Sequence, residues 1–144
     1  IEEAFLAYRT ERYNIKGKDV VAGNCKYYLN DLSFKNFLYP GFSYGVGYLV
    51  ENAVYLELRQ SGYSVYVGSI RDKEVDFVAM KDDRVIYLQT TYMLETEQTI
   101  EREYSPLLSI NDNYEKYVVS LDEIQLPSKE GIRHIQVWNL NEIL

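Results

Sequence analysis

Helical periodicity is clearest near the middle of the chain. Over 45–60, apolar residues recur at Leu49, Val50, Ala53, Val54, Leu56 and Leu58, the spacing of a helix with one buried stripe. Ser61-Gly62 closes it, because glycine accepts the left-handed conformation that ends helices. Alternation then replaces that period. It predicts strands over 63–67, 74–79 and 85–92, the last two joined as an antiparallel hairpin by the turn Lys81-Asp82-Asp83-Arg84. A second helix is expected over 97–104, capped by Thr96 and stopped by Pro106. Strand-like runs follow over 116–121 and 132–138, and a short helix over 139–144. Ahead of the central helix, 1–7 reads as a helix tail and 7–13 as an extended segment. A turn is expected over 15–19, a strand over 26–29, and a short helix over 32–38 that Asn30-Asp31 caps and Pro40-Gly41 breaks.

This order describes an α/β domain with a mixed central sheet flanked by helices. At 144 residues the chain fits one domain, large enough to bury a core without staples. Residues 1–44 form a strand-helix extension and 45–144 the core. The start, Ile1-Glu2-Glu3-Ala4-Phe5, has no initiator Met and no signal-peptide pattern, so the chain is expected to be the C-terminal part of a longer polypeptide. There is no apolar run long enough to cross a membrane as a helix. The single cysteine, Cys25, allows no internal disulfide and fits a reducing, cytoplasmic setting. It is expected to be a buried structural residue, as is the one histidine, His134, which alternation places on a face with Ile132 and Trp138.

The net charge of −7 argues against a dedicated nucleic-acid binder, whose affinity rests on cations facing phosphates. Arg9, Arg12, Lys16 and Lys18 make one local basic cluster, with Glu11 and Asp19 interspersed, and a solvated surface is the simpler reading of it. No glycine-rich segment ends in the Gly-Lys-Ser or Gly-Lys-Thr of a phosphate loop. The 15 tyrosines, against 5 phenylalanines, suit half-buried sheet surfaces where the ring packs and the hydroxyl stays wet.

The strands over 74–79 and 85–92 carry the candidate chemistry. Glu74 and Asp76 are two apart and share a face, as do Gln89 and Thr91 on the neighbouring strand, while Glu51 lies in the preceding helix. A helix acid, then an aspartate on one strand and an acid-x-lysine on the next, is the layout of metal-dependent phosphodiesterases. There carboxylates hold magnesium, and the metal and lysine support the attacking hydroxide and the developing charge.

Gly47-Tyr48-Leu49-Val50-Glu51-Asn52-Ala53-Val54-Tyr55-Leu56-Glu57-Leu58, Gly62-Tyr63-Ser64-Val65-Tyr66-Val67-Gly68, Lys73-Glu74-Val75-Asp76-Phe77-Val78-Ala79 and Ile86-Tyr87-Leu88-Gln89 together resemble the C-terminal domain of a family of prokaryotic AAA+ P-loop ATPases. Lys26-Tyr27-Tyr28-Leu29-Asn30-Asp31-Leu32 and Arg102-Glu103-Tyr104-Ser105-Pro106-Leu107-Leu108 extend the likeness over nearly the whole chain. The resemblance implies a restriction-endonuclease-like core of helix, three strands, helix and strand, following an ATPase module that holds the ATP. It matches Glu51 to the helix acid and Asp76 to the central metal-binding aspartate. Gln89 stands where the acid belongs and Thr91 where the lysine belongs, so two of four parts are changed. The implied protein is a degenerate, non-catalytic nuclease-like module without a cofactor of its own. Magnesium, if held at all, would sit on Glu51 and Asp76. Expected partners are its own ATPase part and either DNA or another protein. A residual magnesium-dependent nuclease and an oligomerisation domain are the alternatives.

Overall fold

The computed structural model describes residues 6–38, 40–41 and 45–144. The expected helix tail over 1–7 lies mostly outside them. A seven-stranded sheet has the order β2-β1-β3-β4-β5-β6-β7. Its strands are β1 (Ala7–Asn14), β2 (Asp19–Leu29), β3 (Ser64–Ile70), β4 (Lys73–Lys81), β5 (Arg84–Thr90), β6 (Glu115–Ser120) and β7 (Ile132–Gln136). The helices are α1 (Ser33–Leu38), α2 (Val46–Gln60) and α3 (Glu97–Leu108), with a 3-10 helix at Val137–Glu142. The pairs β1–β2, β3–β4 and β4–β5 are antiparallel; β1–β3, β5–β6 and β6–β7 are parallel. The mixed sheet flanked by helices is thus the architecture that the periodicities describe. Among the described residues, no helix is long and apolar enough to cross a membrane.

One core lies under α2, where Val50, Val54, Tyr55 and Leu58 meet Phe77, Ala79, Leu88 and Val119. The other lies under α3, where Tyr104, Leu107 and Ile110 meet Val75, Val78, Tyr87 and Val118. Covered on both sides, β4 is buried continuously from Val75 to Ala79, the signature of a central strand. Each such apolar side chain contributes about 1.5–3 kcal/mol.

Several expected boundaries move, each for a tertiary reason. Helix α3 runs through Pro106 to Leu108, because Tyr104, Pro106 and Leu107 are buried together against the sheet. That burial outweighs the hydrogen bond that proline withholds. Strand β2 is much longer than 26–29, since its hairpin with β1 extends the ladder to Asp19. Strand β5 ends at Thr90, so Thr91 lies beyond it. The last helix is a 3-10 turn in which Trp138 stays exposed, off the face that His134 occupies. Cys25 is half-buried on the edge strand rather than buried, as an edge leaves one side of a strand uncovered.

The β3–β4 ladder contains a bulge that orients the site. Tyr66 pairs with Val78 and Gly68 with Val75, so Asp76 and Phe77 together oppose Val67. The close approach fixes Gly68: a Cβ there would lie 2.9 Å from Val75 Cβ, 2.9 Å from Val78 Cγ2 and 3.0 Å from Ile15 Cδ1. Gly68→Ala is expected to cost about 1–3 kcal/mol by overpacking, read as a lower urea midpoint at unchanged slope. An unchanged midpoint would show that the bulge is free to relax.

Candidate functional site

The bulge decides which groups meet. Phe77 pairs with Leu88, so an unbroken ladder would set Asp76 opposite Gln89 on one face. The extra residue instead keeps Asp76 on the α2 side with Phe77. Its Oδ2 accepts from both Thr90 N and Thr90 Oγ1, each at 2.8 Å. Gln89 turns to α3, where its Nε2 donates to Glu103 Oε2 at 3.3 Å, while its Oε1 accepts from the Asp76 backbone N–H at 3.2 Å. Thr91 is buried past the strand end and donates its N–H to Val119 O. Of the four sequence candidates, Glu51 and Asp76 therefore share a site, the Gln89 side chain is engaged with Glu103, and Thr91 lies past the end of β5.

Glu51 reaches the site because Asn52, fully buried, clamps α2 to β2. Its Oδ1 accepts from Leu29 N at 2.8 Å and its Nδ2 donates to Leu29 O at 2.9 Å. That pair of bonds sets Glu51 over two β2 side chains of one face, Lys26 and Tyr28. Tyr28 donates its hydroxyl to Glu51 Oε1 at 2.6 Å and stacks on Tyr55 with centroids 4.3 Å apart. Lys26 Nζ lies 3.0 Å from Glu51 Oε1 and 2.8 Å from Glu74 Oε1. Arg12 adds a second cation, 2.8 Å from Glu74 Oε2.

The electrostatics follow from this packing. Burial, then the charge of Glu51, push Asp76 up to about 7, against the opposing Thr90 bonds and Lys26. Burial would lower Lys26, but its bonds and charge interactions with Glu74 and Glu51 hold it raised. Burial likewise works against the Glu74 carboxylate, yet Lys26 and Arg12 hold it below its ordinary value. Tyr28 is raised by burial and by Glu51, so its hydroxyl remains a donor.

A divalent cation does not fit this arrangement as it stands. Glu51 Oε1 and Asp76 Oδ2 already accept protein donors, and an ammonium sits between Glu51 and Glu74. Among the described residues, no group of three His, Cys, Asp or Glu is disposed to hold a metal. Sequence reasoning missed Lys26, Tyr28 and Thr90. The alternation of Lys26 and Tyr28 was a visible signal, but their facing partner lies in a distant helix. Lys73 and Arg71, near Asp76 in sequence, are not its ion partners. Lys73 donates to Ser105 Oγ at 2.7 Å and Ser109 Oγ at 2.9 Å on the α3 side.

His134 is a structural residue. Its Nδ1 accepts from Leu126 N at 2.8 Å, so the neutral ring presents its Nε2–H to Ser120 Oγ at 2.8 Å, whose own proton goes to Asp122 Oδ2 at 2.6 Å. Burial lowers its pKa. With its acceptor nitrogen filled by a backbone donor, this histidine takes no proton from Ser120.

An uncharacterized protein of Haemophilus influenzae is 34% identical over 137 residues, covering 95% of this chain and 34% of that protein. The chain thus spans about a third of the relative's length. No protein-family model and no solved structure matches.

The raised Asp76 has a definite consequence for stability. Above about 3.9 the unfolded chain ionises this group, whereas the folded chain keeps its proton up to about 7. Folding therefore takes up a proton in that window, and stability falls as pH rises through it. Asp76→Asn keeps an acceptor for Thr90 and removes the charge. It is expected to be more stable than wild type by about 1–3 kcal/mol near pH 8. The gap should narrow toward pH 4, and chemical denaturation at a series of pH values measures it. Glu74 acts in the opposite sense, losing its contribution as pH falls, and cancels in the difference. A gap independent of pH would contradict a buried, proton-holding Asp76.

Proposed function

We propose that this chain is a non-catalytic, restriction-endonuclease-like scaffold serving as the C-terminal module of an AAA+ ATPase. In this reading it positions that ATPase against DNA or a protein partner. The observation that carries the reading is Lys26, whose ammonium stands among Glu51, Glu74 and Asp76. It supplies in fixed form the positive charge that a metal would bring to such carboxylates. A tethered cation satisfies the acids but has no exchangeable water to turn into a nucleophile.

The element order supports the scaffold half of the proposal. Helix α2, the antiparallel β3–β4–β5 meander, α3 and the parallel β6 follow one another as the restriction-endonuclease-like core requires. The length of the Haemophilus relative supports the modular half, since about two-thirds of it lies outside the matched part. The oligomerisation alternative has less support. Between Thr10 and Arg12 the partner strand runs from Lys26 to Val21, so the β2 edge bulges over 22–25, and such interruptions discourage edge pairing.

With magnesium or manganese, the chain is expected to cleave neither single- nor double-stranded DNA above the level of Asp76→Asn. Cleavage that Asp76→Asn abolishes would overturn the non-catalytic reading. Lys26→Ala leaves Glu51 and Glu74 facing each other and is expected to cost about 1–2 kcal/mol by urea titration. No cost would mean that the ammonium does not hold the cluster together.

A further inference from the structure

Nearly every lysine and arginine of this acidic chain has its head group engaged by acids, carbonyls, hydroxyls or tyrosine rings. Among the described residues, Lys16, Lys18 and Arg71 are the exceptions, and all three line one cavity of about 340 Å³. The β1–β2 turn brings Lys16 and Lys18, and the β3–β4 turn brings Arg71. Neither Asp19 nor Asp72, their neighbours in sequence, lies within ion-pair distance. The floor is apolar, formed by the buried Ile15, Ile70 and Ile110, with Ser109 and Asn111 at its side.

Two features that would repel an anion are already neutralised. Asp112, the acid of the lining, takes Lys116 Nζ on Oδ1 at 3.1 Å and the Tyr87 hydroxyl on Oδ2 at 2.8 Å. The carbonyl end of α3, whose dipole is negative, is covered by Lys73 at Ser105 and Ser109. Lys18 and Arg71 also hold positive φ, 57° and 54°, a region that long side chains rarely occupy.

From this juxtaposition we infer a phosphate-binding pocket. Lys16, Lys18 and Arg71 grip a phosphate monoester or diester, and Ile15, Ile70 and Ile110 carry the less polar body attached to it. The volume falls in the range of small-ligand sites, and the guanidinium and two ammonium groups match phosphate oxygens. The pocket belongs to the α3 side, away from Glu51 and Asp76, and does not depend on the nuclease-like reading. A free nucleotide and a nucleic-acid backbone share this chemistry.

The test is methyl and amide NMR titration of the whole chain with inorganic phosphate, a nucleoside monophosphate and a short single-stranded oligonucleotide, in low salt. Signals of Ile15, Ile70 and Ile110 are expected to shift. The monophosphate should bind at least about tenfold more tightly than phosphate if its body rests on the isoleucines, about one decade per 1.4 kcal/mol. Shifts with the oligonucleotide alone would assign the phosphate to a polymer backbone. The variant pair Lys18→Gly and Arg71→Gly removes two cations where the backbone already suits glycine, so the fold should persist and binding should fall at least tenfold. No shift with any of the three, or shifts that survive in the double variant, would overturn the proposal.

Discussion

Three carboxylates crowd one face of the sheet, and they cannot all stay charged there without a cation among them. Everything at this end of the molecule is arranged around that constraint. Asp76 is held in the sheet interior by the bulge, and burial beside Glu51 raises its pKa to about 7. Lys26 bridges Glu51 and Glu74, and with Arg12 from β1 it holds the Glu74 carboxylate below its ordinary value. The strand-helix extension is therefore more than an appendage. It delivers Lys26 and Tyr28 to the core, and the Asn52 clamp on Leu29 fixes the distance at which they arrive.

The same arrangement gives these carboxylates a cation from β2, with no lysine on β5. The Gln89 side chain is engaged with Glu103, and Thr91 lies past the end of β5. Gln89 links the Asp76 backbone to Glu103 of α3, and Thr91 closes the sheet against Val119. Those two positions are held by hydrogen bonds and burial, while the charge balance of the acids is set from β2. Burying ionised groups is stable only when each has a partner with good geometry, and here the partners are all within the chain.

Much of the fold was legible in the sequence, since the apolar stripe of α2 and the alternation of β3, β4 and β5 report directly on burial. The proximity of Glu51 and Asp76 was legible too, from a helix followed by a hairpin. The rest was hidden for definable reasons. The bulge at Asp76 and Phe77 breaks the parity on which cross-strand inference rests, so Thr90 took the place that counting gave to Gln89. Lys26 meets Glu51 across 25 residues, a pairing set by the β1–β2 hairpin and the Asn52 clamp rather than by local pattern. Helix α3 runs through Pro106 because Leu107 is buried against the sheet, a tertiary contact that the local pattern does not show.

The claim at the centre is that Lys26 takes the place of a metal ion. Anomalous scattering from manganese-soaked crystals of the wild type and of Lys26→Ala addresses it most directly. The expected result is no peak in the wild type and a peak among Glu51, Glu74 and Asp76 once the ammonium is gone. A manganese peak in the wild type, with the Lys26 side chain swung away, would contradict it.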